Sequence, residues 1–174
     1  MNAWSQDRAY SSYRTTAYDL HPAIGLSYGQ LVQSGQNNSG GDVVGVSLID
    51  NIYLVESAWA PDVGIGIQRL YLQDGSQPAV ATFSIDARYI LPHRWSVGPA
   101  ADVFLNNGSM LGSSNSQALF IGAVGYHEFN LSRDEYLKLG LKANTQFLVG
   151  GQSSNYIGLA VDLSIPSPDI MANR

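Results

Sequence analysis

From Ala79 to Leu91 every second residue of this chain is apolar, and that alternation constrains the fold more than any other feature. Ala81, Phe83, Ile85, Ala87, Tyr89 and Leu91 share one face, while Thr82, Ser84, Asp86 and Arg88 share the other. A period of two marks a β-strand with two unlike faces; a helix would repeat its apolar positions at three and four. After Pro92-His93-Arg94 the pattern resumes from Trp95 to Leu105, with Val97, Ala101, Val103 and Leu105 set against Ser96, Gly98, Ala100 and Asp102. Two such runs around a short turn predict a β-hairpin.

The rhythm returns downstream. Between Glu135 and Phe147, Leu137, Leu139, Leu141 and Phe147 oppose Tyr136, Lys138, Gly140, Lys142, Asn144 and Gln146. Between Tyr156 and Ile165, Ile157, Leu159, Val161, Leu163 and Ile165 oppose Gly158, Ala160, Asp162 and Ser164. Less regular strands are expected over Ala23 to Val32, Val43 to Ser57, Val63 to Leu72 and Gln117 to Asn130. The second of the eight breaks parity near Asp50-Asn51, the third puts Arg69 on its apolar face, and the sixth reads in either parity. Turn-forming residues separate every pair. Compact turns follow strands two, four and six (Ala58 to Asp62, Pro92 to Arg94, Leu131 to Asp134). Longer polar loops, such as Gln33 to Asp42 and Asn106 to Ser116, follow the odd-numbered strands. Short turns at one end and long loops at the other predict an all-β, up-and-down antiparallel eight-stranded barrel over residues 22–165. Residues 1–21 then form a tail, a lumen plug or an extra strand, and 166–174 a C-terminal tail.

Alternation does not say which face meets water, but composition does. Only 13% of residues are charged, about half the share usual in soluble domains. The polar face is mostly Gly, Ser, Thr, Ala and Asn, and its few charges balance: Asp86, Asp102 and Asp162 against Arg88, Lys138 and Lys142. That suits a cramped, salt-bridged lumen, since buried charges need partners. Hairpin folding brings Arg88 towards Asp102 and Lys142 towards Asp162. The uncharged apolar face then turns to lipid, making the strands transmembrane. Trp59, Tyr89, Trp95, Phe129 and Tyr136 flank the compact turns, as an aromatic girdle would.

These features resemble the small eight-stranded outer-membrane barrels of the OmpA-transmembrane and OmpX type. Tyr156-Ile157-Gly158-Leu159-Ala160-Val161-Asp162-Leu163 is similar to that family's assembly signal, carried here by Tyr156, Gly158, Val161 and Leu163. The chain departs from the pattern by running on from Pro166 to Arg174 with no terminal aromatic. The resemblance implies a bacterial outer-membrane location with a signal peptide removed. The implied partners are outer-membrane lipid, lipopolysaccharide and the barrel-assembly machinery.

Several chemistries weigh against this background. Nine Lys and Arg with a net charge of −5 provide no basic stripe for nucleic acid. Apolar runs break before the roughly 18 residues of a transmembrane helix. With no cysteine there is no disulfide, thiolate metal site or cysteine nucleophile. Of the three histidines, His21, His93 and His127, only His127 adjoins a carboxylate, Glu128, with Ser132 just beyond. Neighbouring strand residues point to opposite faces, so His127 and Glu128 do not serve one site. No catalytic residue, metal site or cofactor is expected. The expected function is a non-enzymatic outer-membrane protein with a structural or surface-interaction role; loop 106–116, with Met110-Leu111, is the place for a protein partner. The alternatives are a narrow channel, a lipid A-modifying enzyme and a soluble lipocalin-like carrier.

Overall fold

The computed structural model describes residues 18–33, 40–54, 57–73, 75–105, 117–131, 135–147 and 154–165. Eight strands run in order: β1 (Tyr18–Gln33), β2 (Gly41–Leu54), β3 (Trp59–Leu72), β4 (Ala79–Ile90), β5 (Trp95–Leu105), β6 (Gln117–Asn130), β7 (Tyr136–Phe147) and β8 (Ser154–Ser164). Each pairs antiparallel with the next, and β8 pairs with β1, so the sheet is a closed up-and-down barrel. The expected fold is therefore the observed one. β1 begins four residues before Pro22, and β3 begins at Trp59 rather than Val63. Met110-Leu111, Ser132 and the C-terminal segment lie outside the described residues.

Register fixes the width of the barrel. Direct partners followed round the sheet from Asn51 pass through Asp62, Asp86, Ala100, Gly122, Asn144, Tyr156 and Leu31, and return to β2 at Gly41. The path closes ten residues from its start, a shear of ten. Eight strands leave an interior just wide enough for side chains to fill.

No bulge interrupts β2: Val43, Gly45, Ser47, Ile49, Asn51 and Tyr53 all turn inward, with Asp50 on the outside. β6 settles its ambiguous parity with Ala118, Phe120, Val124, Tyr126 and Glu128 inside. Arg69 does point outward, near the loop end of β3. At the loop end the interior is itself apolar, a cap of Leu31, Val43, Leu70, Val80, Phe104 and Phe120. Strands that contribute to it are apolar on both faces there, which blurs a period of two.

Close approach makes some inward glycines obligatory. A Cβ at Gly98 would strike the Ala87 carbonyl and the Arg88 Cα, both backbone atoms, whereas one at outward Gly125 meets nothing nearer than 3.6 Å. Gly98→Ala is therefore expected to cost about 1–3 kcal/mol and Gly125→Ala to be tolerated, as read by urea midpoints of the two variants.

Candidate functional site

The polar face of the wall turns inward and its ionised groups meet in two layers. Asp62 is the centre of the layer nearer the compact turns. Its carboxylate accepts the Arg88 fork, from Nε at 2.5 Å and Nη2 at 2.6 Å, and a third bond from Lys138 Nζ at 2.9 Å. Lys138, opposite Asp162 across the β7–β8 ladder, also lies 3.2 Å from that carboxylate and donates to Asn51 Oδ1. The second Arg88 terminal nitrogen donates to Ser96 Oγ at 3.0 Å. Tyr126 covers the layer, with Lys138 Nζ 4.6 Å and the guanidinium carbon 5.8 Å from its ring centre. Arg88, Lys138 and Asp162 are each about 1% exposed or less. Bidentate pairing is what makes so dry a guanidinium tolerable.

The second layer lies towards the loop end. Lys142 reaches across the lumen to Asp86 and Asp102, 2.9 Å from each, and the Asn144 amide donates to Asp102. Asp62 and Asp86 are direct cross-strand partners, an arrangement that repels unless cations divide it. Arg88 and Lys138 hold one carboxylate and Lys142 the other. A cavity of about 60 Å³, lined by Ser27, Ser47, Thr82, Ser84, Asp86 and Lys142 among others, sits beside this layer. Below both layers Tyr53 donates to Glu128 at 2.8 Å, and Tyr136 to the His21 carbonyl at 3.4 Å.

All six predicted lumen charges thus turn inward and are ion-paired, in two layers, but two predicted pairings change. Arg88 pairs with Asp62 rather than Asp102, and Asp162 takes Lys138 rather than Lys142, which pairs across the barrel instead. Reasoning confined to single hairpins cannot see contacts that cross a narrow lumen. Asp62 itself belongs, in sequence, to an expected turn. Pro61 carries that signal, yet β3 runs through it, and the same parity that places Gly64 inside places Asp62 there.

The outer surface is the converse. Large apolar side chains stand 38–63% exposed all round the wall, with Leu141, Ile65 and Ile157 foremost. Of the predicted girdle, Trp59, Tyr89, Trp95 and Phe129 are exposed at the turn end. Trp59 packs edge-on against Tyr89 at 5.3 Å, and Trp95 against His127 at 4.7 Å. Tyr136 is a correction. It is 4% exposed and lies inside, because it shares parity with Lys138. In β8, Tyr156 and Gly158 face inward and Val161 and Leu163 outward, between β7 and β1.

His127 turns outward and Glu128 inward, so the two do not form one site. Among the described residues no cluster of His, Asp and Glu has the arrangement to hold a metal ion. Among the described residues no helix is long and apolar enough to cross a membrane, which says nothing of strands. No protein-family model matches the chain, and no curated protein is similar enough to count as a relative.

Proposed function

We propose that this chain is a transmembrane β-barrel of a bacterial outer membrane, non-enzymatic, with a structural role or one of interaction through its loops. One observation carries the reading: ionised side chains are buried inside the barrel while large apolar ones are exposed outside. In water that distribution forfeits the hydrophobic effect; in lipid it is the stable one. The wall has no open edge, so no strand leaves unpaired backbone facing hydrocarbon. The turn-end aromatics fit one interface. At the loop end Gln30, Asp42 and Arg69 bring polar side chains to the outer face, where the apolar belt gives way. A lipocalin-like carrier needs the opposite faces, an apolar cavity and a solvated exterior. On this reading the compact turns face the periplasm and the loops the outside.

The proposal predicts that the chain, refolded into detergent micelles, migrates differently in SDS before and after boiling, and that plain buffer leaves it aggregated. A soluble monomer with no mobility shift would overturn it. Conduction is a separate matter. The apolar cap and the ion-paired layers cross the lumen at different depths, and an apolar constriction resists wetting. Planar bilayers holding the protein should therefore show no unitary current steps. Steps that Lys142→Ala enlarges would promote the channel reading instead.

A further inference from the structure

We propose that the rim around Trp95 binds the phosphate of an anionic phospholipid headgroup through His93, Arg94 and His127, an inference that rests on the membrane reading above. The β4–β5 connection, Pro92–Arg94, holds two consecutive left-handed residues, His93 at φ 60° and Arg94 at φ 63°. Glycine and asparagine adopt that conformation readily and histidine tolerates it, whereas arginine is strained in it. Asn-Gly would make the same reversal without strain, so at Arg94 a bulky basic residue stands where the backbone disfavours it. Strain retained at a surface turn points to side chains with a task.

The second observation lies on the next strand. Trp95 is the direct partner of His127, whose ring is wedged between Trp95 at 4.7 Å and Phe129 at 4.4 Å. Its Nδ1 is buried with no partner among the described residues, and the residue itself faces outward. Neither His93 nor Arg94 has an ion pair among the described residues. Beyond His127 the outer face drops to Gly125 and Ala123, with Pro99 the partner of Ala123, a low strip where an acyl chain can lie beside its headgroup. A guanidinium and two imidazoles above aromatic rings suit a phosphodiester monoanion, which takes charge-assisted bonds while its chains stay in hydrocarbon.

The test compares urea unfolding of the full chain in phosphatidylcholine vesicles with and without phosphatidylglycerol. The wild-type midpoint should rise with phosphatidylglycerol, and less so at high salt. His93→Asn with Arg94→Gly should lose most of that rise, since an arginine near the surface contributes about fivefold in binding. In phosphatidylcholine alone the same variant should unfold at an equal or higher midpoint, because the strain is relieved. His127→Phe, which keeps the ring packing, should lose part of the rise. An undiminished rise in both variants overturns the site and leaves the membrane reading intact, as does an equal fall in both kinds of vesicle. Inorganic phosphate reproducing the rise without phosphatidylglycerol overturns the assignment to lipid. Failure of the wild-type chain to fold in either vesicle overturns the membrane reading and this site with it.

Discussion

Asp62→Ala should lower the stability of the folded barrel by about 3–5 kcal/mol, the range for stranding a buried charge. The change removes both carboxylate bonds of Arg88, leaving that guanidinium only Ser96 and two aromatic rings while almost wholly buried. Lys138 suffers less, because it keeps Asp162 and Asn51. Asp102→Ala should cost less than Asp62→Ala, since Lys142 retains Asp86. Adding Arg88→Met to Asp62→Ala removes the stranded cation and should restore part of the loss, a coupling that a double-mutant cycle reads directly. The measurement is tryptophan-monitored urea unfolding in micelles. An Asp62→Ala midpoint within error of wild type would mean that water reaches this layer and screens it.

The outer face should fail in a different way. Leu141→Lys places an ammonium at the most exposed of the large apolar positions, in the middle of β7. In lipid a midplane lysine costs about 2–4 kcal/mol, falling to about 0–1 near the interface. Gln30→Lys, towards the loop end of β1 where the outer face is already polar, is the matched control and should be near neutral. The contrast in vesicles separates the readings, because on a water-facing wall Leu141→Lys is neutral or favourable. Equal, small effects at both positions would mean that the belt does not meet hydrocarbon.

How far the sequence reveals this molecule depends on how polar the inward face of each strand is. β4, β5, β7 and β8 supply most of the mid-lumen charges, alternate cleanly, and appear with nearly their observed bounds. β4 and β5 also reach the apolar cap, through Val80 and Phe104, but β1, β2, β3 and β6 turn more apolar residues inward, among them Ala23, Leu31, Val43, Leu70, Phe120 and Val124. Their inward residues resemble their outward ones, so parity fades where the lumen changes character. Asp62 went unread as the hub because Pro61 looks like a turn. Tyr136 flanks a turn as a girdle residue would, yet its parity with Lys138 places it inside. The ion pairs escaped for a topological reason. A shear of ten carries partners up the wall, and Lys142 meets Asp86 only across a lumen whose width no hairpin argument supplies. The unusual turn at His93-Arg94 gives little sequence signal, since histidine is only enriched, not common, at positive φ and arginine does not favour it.

The central claim, that the apolar wall faces lipid, is open to a direct measurement because the chain has no cysteine. Single substitutions Ile65→Cys, Leu141→Cys and Leu159→Cys put a nitroxide spin label on three strands in the middle of the belt, and Gly75→Cys puts one in the β3–β4 loop. In vesicles the three belt labels should collide readily with dissolved oxygen and rarely with a water-soluble nickel chelate, and the loop label should do the reverse. Chelate access at the belt positions equal to that in the loop would contradict the account, because it would put water where hydrocarbon is required.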